Sequence, residues 1–214
     1  MSSDLSKFNQ PLLIELSFSE VEMCLADVHQ IRTDRRGAFT ARIKNLLKLG
    51  LLPDVQAGRG RAASYAAWDL FVIAVAIELA QLGLSPDRAV NAIRANQKSL
   101  AAGIYLAAHG LLSEYEEAIL FYFDPASLED MMKKAPKGDR TASDFLCGPV
   151  SQLKQHLEDH GAKSLSRLAM FNATILLRSL LANGIASDDQ ASFLEELRDM
   201  AMFGFRTRSD DGDT

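Results

Sequence analysis

The sequence predicts a mostly α protein with small β elements: an N-terminal helix–wing–helix domain followed by a C-terminal acidic α+β domain. Three observations predict it. Apolar residues recur at helical spacing in successive segments, each opened or closed by capping and breaking residues. A cationic island occupies residues 32–61, where Arg32, Arg35, Arg36, Arg42, Lys44, Lys48, Arg59 and Arg61 meet only Asp34 and Asp54, a local +6 in a chain of net −5. The charge then changes sign: residues 1–104 carry +2 and residues 105–214 carry −7. A cationic island kept inside an acidic protein is the footprint of a reader of phosphate backbones. A short basic helix, a Gly/Arg hairpin signal and a long apolar helix follow one another there. This is the order in which a winged helix-turn-helix presents itself to DNA.

The elements follow in order. Residues 1–16 read as a flexible arm. Ser17 and Glu20 form a capping-box pattern that opens a helix to about residue 31, with Val21, Cys24, Leu25 and Val28 on one face. Residues 33–37 are a polar, basic turn. The next helix, 38–49, is the expected recognition helix, with Phe39, Ile43, Leu46, Leu47 and Leu49 apolar and Thr40, Arg42, Lys44, Asn45 and Lys48 on its other face. Gly50 stands where a helix-ending glycine is expected, and Pro53 prevents resumption. Residues 55–65 read as a hairpin wing around Gly58, Arg59 and Gly60. Residues 66–82 are apolar nearly all round, which predicts a core helix ended by Gly83. Ser85 and Pro86 open a helix to about Asn96, and another covers 99–109.

The second half begins at a soft boundary near Gly110. Residues 118–123 are short, aromatic and β-branched, and Pro125 stops them, which predicts a strand. Residues 126–134 look helical, 136–141 form a polar loop, and Gly148 and Pro149 break the chain again. Residues 150–160 form an amphipathic helix. Residues 164–171 read either as a second strand or as the start of a helix ending near Gly184. Ser187 and Gln190 form a second capping box that opens the last helix, to about Phe203. Four parts result: the arm 1–16, a winged helix-turn-helix domain 17–109, an oligomerisation or effector domain 110–205, and a disordered acidic tail 206–214.

Three landmarks then occur at compatible spacings: FTARIKNLLKLGLLP at 39–53, Tyr65 with Asp69 and Leu70, and QLGLSPDR at 81–88. Together they resemble the DNA-binding domain of MerR-type regulators, over less than a third of the chain. In that family a recognition helix ends in a Gly-Leu-Leu-Pro-like corner, a basic wing leads to a Tyr, and a helix pair follows. The resemblance implies the fold of the reader. It does not extend to an arginine two residues before the Tyr, where Ala63 stands. Nor does it extend to a coiled-coil dimer, because residues 97–112 are too short and too apolar for one, and no inducer is implied.

Arg42, Asn45 and Lys48 are spaced by three and share one helix face, where arginine suits guanine and asparagine suits adenine. Lys44 lies to one side and suits a phosphate. Arg59 and Arg61 flank Gly60, whose freedom lets a hairpin tip approach a phosphate or a minor groove. Arg35 and Arg36 precede the helix and reach phosphates beside its N-terminal amides. The expected DNA-binding residues are thus Arg35, Arg36, Thr40, Arg42, Lys44, Asn45, Lys48, Arg59 and Arg61. The bland readings are a solvated helix face and a solubilising hairpin. Tyr65 and Trp68 read as packing at the base of the wing.

No catalytic or cofactor-binding constellation is visible, so neither an enzyme nor a cofactor is expected. His156 and His160 have a zinc-like spacing but lack a third ligand, and read as an exposed helix face. Gly58 to Arg61 is not a phosphate loop, since no Gly-Lys-Ser/Thr end follows. No run of about 18 apolar residues predicts a membrane span, and no secretory signal precedes the first helix. Two separated cysteines, Cys24 and Cys147, read as reduced thiols, and a cytoplasmic location follows. The expected partners are double-stranded DNA and a second copy of the chain. The acidic half should avoid DNA, and it is free to dimerise, to bind a protein partner such as the transcription machinery, or to hold an apolar ligand. The surfaces expected to dimerise are strand 118–123 and segment 168–181. The alternative function is a protein-interaction adaptor or antirepressor that keeps a winged-helix shape without reading DNA.

Overall fold

The structure is a computed structural model that describes residues 14–55, 62–113, 117–123, 145–160 and 168–203. The described residues form eight α-helices and a small antiparallel sheet. Helix α1 is Phe18–Val28, followed by a 3-10 turn at Thr33–Arg35 and helix α2, Arg36–Lys48. Then come α3 (Ala67–Gln81), α4 (Pro86–Ala95) and α5 (Gln97–Leu112). Strand β1 is Ile119–Phe123, β2 is Leu146–Pro149, α6 is Val150–His160 and β3 is Ala169–Asn172. Helix α7 (Ala173–Gly184) and α8 (Gln190–Phe203) close the chain, with a 3-10 turn at Ser187–Asp189 between them.

Helix α3 is the hub. Its residues from Leu70 to Ile77, together with Leu79, are buried around the whole circumference, as an apolar helix without a polar face requires. Each such large side chain removed from water contributes about 1.5–3 kcal/mol. The C-terminal helices pack directly on the N-terminal ones: α7 on α1, and α8 on α5 and α3. One apolar cluster therefore runs from Val21 to Ala201. The boundary near Gly110 is a change of charge, and the core passes through it without a break. A negative half and a positive half share one interior because their charges sit on surfaces, which apolar packing does not sense.

The sheet has the order β2-β1-β3, with β1 in the centre. All five β1 residues are buried. Ile119, Phe121 and Phe123 belong to the main core, where Phe121 lies 4.9 Å from the ring of Phe145 and 5.2 Å from that of Phe171. Leu120 and Tyr122 face the other way, with Leu153 of α6. Helix α5 comes close to the first face because of Gly103, where a methyl group would run into the Phe121 ring.

The expected strand 118–123 stands as β1. In the ambiguous stretch 164–171, residues 164–167 lie outside the described residues and 169–171 belong to strand β3, which runs directly into α7, where Asn172 caps the helix by accepting the Ile175 N–H at 2.9 Å. Strand β2 replaces an expected break: Gly148 and Pro149 lie on an edge strand, where a missing N–H costs little. The two surfaces expected to dimerise are internal. Strand β1 has a partner on each edge, and Phe171, Leu176, Leu177, Leu180 and Leu181 are buried, leaving Met170 and Ile175 exposed. The expected helix 126–134, loop 136–141 and tail 206–214 lie outside the described residues. No helix among the described residues is long and apolar enough to cross a membrane.

Candidate nucleic-acid interface

The candidate reader is built on α1 and α2. Ser17 opens α1 with a reciprocal cap: its N–H donates to the Glu20 carboxylate at 2.7 Å, and its hydroxyl accepts the Glu20 N–H at 3.3 Å. Hydrogen bonding to the Ser17 backbone N–H, and then to the Ser17 side chain, holds the Glu20 carboxyl below its usual range. The helix ends at His29, and Gln30 takes a positive φ of 52° so that Ile31 can bond back to Ala26 at 2.8 Å. Glycine usually marks such a turn, so the sequence hides it. Three residues of 3-10 helix then lead into α2, which starts at Arg36, two residues before its expected start.

Phe39, Ile43 and Leu46 of α2 are buried. Ala38, Ala41, Arg42, Asn45, Lys48 and Leu49 are exposed and lie along one stripe at helical spacing. The side chains of Arg42, Asn45 and Lys48 make no hydrogen bond or ion pair with any described residue. Alanine at 38 and 41 leaves the stripe low, so that a flat surface can approach the backbone. Lys44 is exposed and sits over the Phe18 ring, 5.5 Å from its centroid. Arg35 is 73% exposed, with its Nε 3.8 Å from Asp34.

Arg36 and Thr40 do other work. Arg36 donates to the Asp27 carboxylate at 2.6 Å and lies 3.5 Å from Glu22. The Thr40 hydroxyl lies 3.2 Å from Glu22 and donates to the Arg36 carbonyl at 2.9 Å. Both side chains tie α2 to the acidic side of α1, which sets the angle between the two helices. The pairing was hidden because Glu22 and Asp27 come from an element assigned by its apolar face alone. At the other end, Gly50 has φ 79°, and its carbonyl accepts from the Arg94 guanidinium at 2.6 Å. Helix α4 thus braces the end of α2.

Arg59, Arg61 and the tip of the expected wing lie outside the described residues. The residues at the root of the expected wing are described. Tyr65 exchanges both backbone hydrogen bonds with Leu16, each 2.9 Å. The end of the arm therefore pairs with the wing's second limb. Tyr65 is buried, and its ring lies 6.4 Å from Phe18. Lys44, Phe18 and Tyr65 thus form a chain of contacts from α2 to the wing root. Trp68 packs at the edge of the same core.

Below this surface lies His29, whose side chain is 2% exposed. Its Nδ1 is 3.5 Å from the Glu78 carboxylate and 3.1 Å from the Gln81 amide, while Nε2 has no partner. Burial pushes its pKa down to about 4. The ring is therefore neutral at pH 7, and its 3.5 Å approach to Glu78 is not an ion pair.

No protein-family profile, curated protein or solved structure matches the chain.

Proposed function

We propose that this protein is a sequence-specific, double-stranded-DNA-binding transcriptional regulator of winged helix-turn-helix type. In this reading α2 enters the major groove, and residues 55–65 lie on the flanking groove or backbone. The observation that carries it is the exposed stripe of α2. It presents Arg42, Asn45 and Lys48 without an acidic partner among the described residues, on a helix braced at both ends by Arg36 and Arg94. A solubilising surface needs no such bracing, whereas base reading needs side chains held in register. Arg42 and Asn45 read base edges, Lys44, Lys48 and Arg35 hold phosphates, and Arg59 and Arg61 extend the contact from the wing. Arg36 and Thr40 position the helix. A second copy of the chain supplies a second half-site, because one helix and one wing bury a small area.

The test begins with sites recovered by selection from random duplexes. Arg42→Ala and Asn45→Ala are expected to cost about 1–3 kcal/mol each on the preferred site and to relax the preference at one position. Lys44→Ala should weaken every duplex about equally. Identical specificity profiles for Arg42→Ala and Lys44→Ala would remove the base-reading role from this face.

A further inference from the structure

Besides the His29 side chain, the described residues bury two polar residues, Thr174 and Glu196. Thr174 has a local task, accepting the Ile119 N–H at 3.0 Å where α7 meets β1. Glu196 is harder to explain. It is 8% exposed on α8, beside the apolar residues Phe193 and Leu197. A carboxylate in such a place is costly unless its oxygens are satisfied.

Its two oxygens serve two distant parts of the chain. Oε2 accepts the N–H of Ile14 at 3.0 Å, and Oε1 accepts the N–H of Ala67 at 3.3 Å. Ile14 precedes Leu16 by two residues, and Ala67 follows Tyr65 by two. Leu16 and Tyr65 are the two members of the bridge at the wing root. One planar carboxylate thus holds both limbs of that bridge from behind, at a spacing fixed by its own geometry. Ala67 is also the first residue of α3, where a negative charge is favoured by the helix dipole.

We infer that Glu196 is a positioning residue for the wing: through it, α8 fixes the wing root relative to α2. This rests on the reading of α2 and the wing as the DNA-contacting parts. The consequence is that the acidic C-terminal part bears on DNA binding without touching DNA. A shift of α8 would reach the wing through two hydrogen bonds.

The experiment compares the full chain with Glu196→Gln, which keeps the shape and one acceptor, and with Glu196→Ala. Amide hydrogen exchange without DNA is the first readout. Exchange at Leu16 and Tyr65 is expected to rise about tenfold or more in Glu196→Ala and less in Glu196→Gln, while Ile43 and Leu46 of α2 keep their rates. Duplex binding across salt is the second readout. The slope of log affinity against log salt should fall by about 1–2 as Arg59 and Arg61 lose their phosphates, with sequence preference kept. Unchanged exchange at Leu16 and Tyr65, or a rise shared by every helix, would overturn the proposal. A loosened root with an unchanged slope would support the latch and remove the wing from the DNA contact.

Discussion

Single residues separate into those proposed to touch DNA and those that hold the framework. Arg36 illustrates the difference. Its ion pairs with Asp27 and Glu22 bind α2 to α1, so Arg36→Ala should lower stability by about 0.5–1 kcal/mol. It should leave the salt dependence of duplex binding unchanged, and urea unfolding beside a salt titration checks both. His29 makes a prediction about pH. Its folded pKa, about 4, lies below the ordinary 6.5, so the unfolded chain binds a proton first as pH falls. Stability is full above about pH 6.5 and is lost as pH falls toward 4, by on the order of 2–3 kcal/mol. Glu78, whose carboxyl is raised by burial, acts in the opposite sense. The comparison of wild type with His29→Gln isolates the ring: urea midpoints between pH 7 and 4 should fall less steeply in the variant.

Among the elements, helices were legible where period and punctuation agreed. The apolar face of α1, the all-round burial of α3 and the Pro86 start of α4 follow directly from their residues. Strand β1 was legible for the same reason, because ILFYF has no helical face. Elements defined by distant partners were not legible. Strand β2 holds a glycine and a proline and exists because β1 offers it an edge. Gln30 turns without glycine, and Glu196 sits at the margin of an apolar face with an equally acidic neighbour, Glu195. Nothing local marks it as the buried one. Of the expected contact face, the shared exposed stripe of Arg42, Asn45 and Lys48 was legible from their spacing, while the inward roles of Arg36 and Thr40 depend on carboxylates nine to 18 residues away. Packing between elements yields a prediction of its own. At Gly103→Ala, the new methyl group would meet the Phe121 ring between α5 and the sheet. It should cost about 1–3 kcal/mol, read as a lower Tm, with DNA preference unaltered in the folded fraction.

The whole molecule joins the proposed reading surface to an acidic body through one continuous core. Helices α7 and α8 cover α1, α3 and α5, so the acidic part supports the elements proposed to read DNA. Its charge opposes non-specific spreading onto nucleic acid, and the cationic island must supply the attraction. With Arg36 held by its ion pairs, the proposed function leaves about five phosphate contacts to α2, its preceding turn and the expected wing. The most direct measurement of the central claim is the affinity of the full chain for its selected duplex at two salt concentrations, alone and with Arg42→Ala plus Lys48→Ala. A fourfold rise in salt should weaken wild-type binding by about two to three orders of magnitude, and the double variant should show a slope smaller by about one, from the lost Lys48 phosphate contact. Binding that ignores salt, or a double variant with the wild-type slope, would contradict the assignment of α2 as the DNA-reading helix.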